Sequence, residues 1–331
     1  MDIKFPKDLD LGNSLDFCIQ LDGVQDDTLY NYIPTHLGLV EPFGMLLTSA
    51  KIKEFYKKHP KSRHMYNQKK IVYNEYAAHM GFYKSLGINY GKKPGEANGS
   101  LMYHPIDSKT VTELALTAQT ERLHICDIIE KEANKLSKVL SNGNQNVEKY
   151  ISYSIRELMR NTYEHSNADS IWFAGQCWPT RDCVEIAIVD RGCGIKESFL
   201  GDPAFNHINS DYEALMFAIQ PGATRTLNNH IYGLDEEWLN SGFGLYVTSS
   251  ICSNGGDFVI CSGDTVLFIS KGSIKFRTTS FKGTAIRMRL KLSEMAKTSN
   301  LISNIVSKGE KIAKAKPNLL VTNASKASKR T

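Results

Sequence analysis

Residues 147–166, VEKYISYSIRELMRNTYEHS, set Val147, Tyr150, Ile151, Ile155, Leu158, Met159 and Thr162 at the three-and-four spacing of a buried helical stripe. Glu157, Asn161 and Glu164 or His165 interrupt the pattern at i, i+4 and i+7/i+8, so they project from one side of the same helix. SIWFAGQCW and CVEIAIVD, on either side of Pro179 to Asp182, read as a strand pair. GGDFVICSG, TVLFISKG, SIKFRTTS and GTAIRMRLKL alternate as antiparallel strands, so this part of the chain reads as a helix layer on a mixed, mostly antiparallel sheet.

Upstream, SLDFCIQLD (14–22) alternates and predicts a strand. A helix follows from about Gly44 to Lys58, stopped by Pro60, then a short strand at 62–67, a second helix at 74–88 and a strand at 100–106. That order argues for a smaller α/β domain over residues 1–108. Its histidines at 36, 59, 64, 79 and 104 lack paired carboxylate or cysteine spacing and read as structural. Lys109 to Ser141 is a long helical pattern interrupted by the turn SNGNQ, with His124 as an ordinary helix residue. Residues 196–241 form a long irregular connection with one helix at 210–220, and residues 296–331 a flexible basic tail.

At 331 residues the chain is long enough for two domains with proper cores, and 41% hydrophobic with 23% charged residues is ordinary for a soluble globular protein. No run approaches the roughly 18 apolar residues of a membrane span, and MDIKFPKDLDLG has no apolar signal core, so a cytoplasmic location without a membrane partner is expected. The seven cysteines form no CxxC pair and no metal-ligand spacing with histidine, and read as reduced thiols. The net charge of +5 is unevenly placed: residues 303–331 carry seven Lys/Arg and one Glu, or +6, leaving 5 − 6 = −1 for the rest. Nucleic-acid binding through that tail is open but not favoured over a solvated end.

Three stretches carry candidate chemistry. A carboxamide one turn from a carboxylate offers an amide oxygen for a hard cation and a base for a water or hydroxyl; a solvated helix face is the alternative for Glu157 and Asn161. In VEIAIVDRGCGI (184–195) a strand delivers Asp190 to a loop whose Gly192 and Gly194 permit close backbone approach or positive φ, with Ile195 at its end. In NSGFGLYVTSSIC (240–252) the glycines at Gly242 and Gly244, flanked by Phe243 and Leu245, open a helix whose N–H groups suit a phosphate.

In this order, and with Gly283-Thr284 in the late strand, these stretches resemble the N box, G1 box, G2 box and terminal Gly-Thr of the GHKL ATPases, over about residues 110–292. The resemblance implies a Bergerat two-layer α/β sandwich over residues 109–295 with its ATP lid at about 196–241, and ATP with Mg²⁺ as cofactors. By the same resemblance Asp190 accepts from the adenine amino group, Thr284 lies near the adenine, and Asn161 ligates Mg²⁺. Glu157 activates the nucleophile, Gly192 and Gly194 pass under the base, and Gly242, Phe243 and Gly244 offer amides to phosphates. His165 and Glu164 stand behind them. Thr224 and Arg225 reach phosphate from the lid, a solvated lid charge being the alternative for Arg225. The layout is closest to anti-sigma-factor-type serine kinases, and residues 1–108 loosely resemble STAS domains through VEPFGMLLTSAKIKEF and YAAHMGFYKSLGI. The implied activity is ATP hydrolysis or γ-phosphate transfer to a Ser/Thr of a protein partner, STAS-type or another regulatory substrate, in a signalling or defence role. The alternative is an ATP-gated interaction switch with little turnover. The sequence leaves a homodimer open.

Overall fold

The structure is a computed structural model that describes residues 1–34, 36–66, 71–96, 102–200, 205–223, 242–315 and 323–324. It is an α/β sandwich built on two sheets. The first is parallel, in the order β1 (Asp2–Lys4), β2 (Leu29–Ile33), β3 (Arg63–Tyr66). Helices α1 (Leu11–Asp22) and α2 (Pro42–Lys58) connect its strands, and α3 (Glu75–His79) and α4 (Phe82–Ser85) follow.

The strand expected at 14–22 is α1. Its alternation is incidental: Ser14, Leu15, Phe17, Cys18 and Leu21 are buried at helical spacing, and the Asp10 carboxylate caps the helix by accepting from the Asn13 N–H at 2.8 Å. The strand at this place in the order is β2, LYNYI, which the approach of Pro34 disguises as loop. The helix at 42–58 and the strand at 63–66 lie where the pattern puts them, whereas the helix expected over 74–88 is two short helices parted by Gly81, whose φ is 86°.

The second sheet is antiparallel throughout its described pairings rather than mixed, in the order β4 (Tyr103–Thr110), β5 (Ser170–Trp178), β6 (Cys183–Asp190), β8 (Ser273–Lys291), β7 (Gly256–Ser270). The last four expected strands are two long ones. β7 and β8 form a single hairpin with register shifts near Gly263, where the pattern breaks without the ladder ending. β4 spans position 108, so the chain enters the second sheet within that strand.

Both faces of the five-stranded sheet are covered, which is why β6 reads as a nearly continuous apolar run. Val184, Ile186 and Ile188 point to the layer of α6 (Ile125–Leu140), α7 (Gln145–His165) and α10 (Gly244–Gly255). Ala187 and Val189 point to the layer of α1 and α2. The long helix expected from Lys109 is α5 (Val111–Glu121) and α6, separated where Arg122 turns left-handed at φ 55°. His124 therefore sits at a helix start, and its Nδ1 accepts from the Cys126 N–H at 3.2 Å. The remaining helices are α8 (Ile195–Phe199), α9 (Asp211–Ala218), α11 (Leu292–Lys297) and α12 (Leu301–Lys314). The basic C-terminal segment is not free along α12: Leu301, Ile302, Ile305, Val306 and Ala313 are buried against the α10 side. Its lysines occupy the other face, so charge masks an amphipathic helix. All seven cysteines are free thiols. No described helix is long and apolar enough to cross a membrane.

Candidate functional site

A cleft of about 90 Å³ opens between α7, α8, α10 and the strands β6, β7 and β8. Asn161 and His165 line it from α7, Asp190 from the end of β6, and Gly194 and Ile195 from the loop beyond. Gly242, Gly244 and Leu245 line it from the start of α10, and Thr284 from β8. Four stretches lying between positions 161 and 284 thus converge on one cavity.

Helix α7 is started by Asn144, whose side chain accepts from the Val147 N–H at 3.1 Å, and its apolar stripe fixes the rotation that turns Asn161 toward the cleft. The sheet register places Asp190 directly opposite Thr284. Asp190 is 4% exposed, and burial pushes its carboxyl from 3.8 up to about 6. Donors pull the other way without prevailing: the Gly192 N–H at 2.9 Å, the Thr284 backbone and hydroxyl, and the Thr162 hydroxyl at 3.4 Å. Near neutral pH the group is a desolvated carboxylate whose partners are all neutral donors, a surface that accepts a hydrogen bond from a ligand's amino group.

The glycines act by close approach. A Cβ on Gly192 would stand 2.0 Å from the Ser166 carbonyl oxygen, so the loop can lie against the end of α7 only without one; Gly192 itself does not line the cleft. Gly194 turns at φ 86° and hands the chain to Ile195, whose N–H donates to Ser262 Oγ at 2.9 Å. Ser262 in turn donates to the Gly283 carbonyl at 2.9 Å, tying loop and strand together.

Phe243 is fully buried with its side chain in the core beside Tyr246, so only its backbone belongs to the turn. No side chain caps α10, whose first turn faces the cleft with the positive end of the helix dipole. A Cβ on Gly244 would meet Glu157 Oε2 at 2.4 Å, which places that carboxylate immediately behind the turn. Glu157 is 3% exposed, does not line the cleft, and its Oε1 accepts from Arg156 Nε at 3.2 Å and Nη2 at 3.1 Å. Glu164 turns to Arg160 at 3.1 Å, away from the cleft, while His165 Nε2 lies 3.7 Å from Glu164 Oε2. Thr224 and Arg225 lie outside the described residues.

Among the described residues no group of three or more His, Cys, Asp or Glu side chains could hold a metal ion alone. A single carboxamide fits Mg²⁺ only as a partial ligand, with the rest supplied by phosphates and water, which is how this ion is usually held beside a nucleotide. Sequence reasoning placed Thr162 in the apolar stripe and passed over Ser262. Both sit against the site, and their signal, a small hydroxyl inside an apolar run, is too common to single them out. The chain matches no protein-family model and no curated protein sequence.

Proposed function

We propose that the chain is a cytoplasmic, GHKL-type protein that binds ATP with Mg²⁺ in this cleft. It hydrolyses the nucleotide or passes its γ-phosphate to a Ser/Thr of a protein partner in a regulatory or defence pathway. The observation that carries the reading is the meeting of Asn161, Asp190, Gly194, Gly244 and Thr284 in one cavity. Asp190 accepts from the adenine amino group and disfavours guanine, which presents an acceptor at that position. The first turn of α10 offers backbone N–H groups to phosphate oxygens, with the dipole in support. Asn161 would supply an amide oxygen to Mg²⁺, an ion that would neutralise phosphate charge. Glu157 Oε2, behind Gly244, takes the proton of the attacking water or hydroxyl once its carboxylate is released from Arg156.

That ion pair favours a second reading, an ATP-gated interaction switch, because the Glu157 carboxylate is already engaged by a neighbouring guanidinium and does not line the cleft. Turnover with γ-labelled ATP, alone and with cell extract, separates the two. The catalytic reading expects label on protein or as free phosphate, and its loss in Glu157→Ala while ATP binding survives. Binding without turnover in either condition leaves the switch.

A further inference from the structure

A second concavity lies on the α2 side of the molecule, lined by Glu54, Lys57, Lys58, Arg191 and Lys282. Its volume is about 280 Å³. Two of the surrounding cations are neutralised internally. Lys51 and Lys58 both bond Asp22, at 2.9 and 2.6 Å, and Glu54, at 3.2 and 3.1 Å. Glu54 spends its second oxygen on the Lys282 N–H at 3.2 Å, so both carboxylates are committed to the wall.

What remains is cationic. Lys57 and Lys282 are exposed, Arg191 is half-buried, and none of the three has a carboxylate within ion-pair distance among the described residues. Lys53 stands nearby, its ammonium 4.1 Å from the Trp172 ring centroid. Burial, then the charge of Arg191, lower it to about 8, and Arg191 is itself lowered by burial against the opposing pull of Asp169. Like charges held together with no carboxylate in direct contact cost stability, and an arrangement that tolerates this is poised for an anion.

From this geometry we infer that the pocket between α2, the end of β6 and the middle of β8 binds a small, multiply charged phosphate-class anion. A half-buried guanidinium fork matches a tetrahedral oxyanion, and lysines converging from separate elements add point charge from several sides. A concavity lined by five residues suits a compact ligand better than an extended acidic peptide. The inference does not depend on the nucleotide reading, although Arg191 and Lys282 directly adjoin Asp190 and Gly283 in sequence.

The test is calorimetric titration of the full chain with inorganic tripolyphosphate. Lys57 and Lys282 are exposed, so the double variant Lys57→Gln/Lys282→Gln keeps the fold, checked by an unchanged melting curve. It is expected to bind at least about tenfold more weakly than the wild-type chain. Absence of wild-type binding, unchanged affinity in the double variant, loss on Asn161→Ala instead, or tighter binding of a polyglutamate peptide would each overturn the assignment.

Discussion

Strand β6 carries two buried carboxylates of opposite parity. Glu185, on the face covered by α1 and α2, is wholly buried and is met by Arg289 Nε at 2.6 Å and the Phe43 N–H at 3.0 Å. Asp190, on the face covered by α7 and α10, meets only N–H and hydroxyl donors and opens on a cleft. Glu185 belongs to an electrostatic lock that also holds Glu41 through Arg289 at 2.5 Å and joins the N-terminal layer to the sheet. Asp190 is left desolvated without a cation, an arrangement with no structural return of its own and the usual mark of a site. Burial alone does not distinguish structure from function here; the charge of the partners does.

Removing one member of the lock should have the largest effect. Glu185→Ala empties a wholly buried site and leaves the half-buried Arg289 with Glu41 alone, and chemical denaturation should register a loss of roughly 3 kcal/mol. A loss below 1 kcal/mol would mean that the two carboxylates do not differ in kind. Asp190→Asn should lower ATP affinity by about 2–3 kcal/mol in calorimetry, because a buried acceptor is exchanged for a group that presents donors. Stability at neutral pH should hold or rise rather than fall, because Asn carries no desolvated charge, so the pair of variants sorts the two faces by the sign of the change.

Titration of Asp190 supplies a further test. Its pKa in the folded chain, about 6, lies above the ordinary 3.8. Its stabilising contribution is therefore complete below 3.8 and vanishes as the pH rises through about 6, a difference of about 3 kcal/mol spread over that window. Asp190→Asn should flatten that segment of the pH–stability curve. ATP affinity runs the opposite way: it needs the ionised acceptor, so it should weaken as the pH falls through about 6, by at most about tenfold per unit. An affinity flat from pH 7 to pH 5 would disconnect Asp190 from the ligand.

The site was more legible in the sequence than the frame around it. Glycines flanking a strand-end aspartate and opening a helix are local signals, and Asn161, Asp190, Gly194, Gly244 and Thr284 do meet. Glu157 was legible as a residue but not in its pairing, since its neighbour Arg156 bonds it within one turn of the same helix. The Asp10 cap that makes 11–22 a helix competes with an alternation that is equally visible, and tertiary packing decides the outcome. The amphipathic helix α12 was hidden by its lysines, and the lock at Glu185 joins residues more than a hundred positions apart, for which a single sequence offers no signal.

The central claim is that Asp190 reads an adenine in the cleft between α7 and α10, and side-by-side calorimetric titration of the full chain with ATP and GTP in the presence of Mg²⁺ tests it most directly. One ATP per chain should bind, with GTP at least about tenfold weaker because its C6 carbonyl oxygen would face the Asp190 carboxylate. Equal affinity for the two nucleotides, or no heat with ATP, would contradict it.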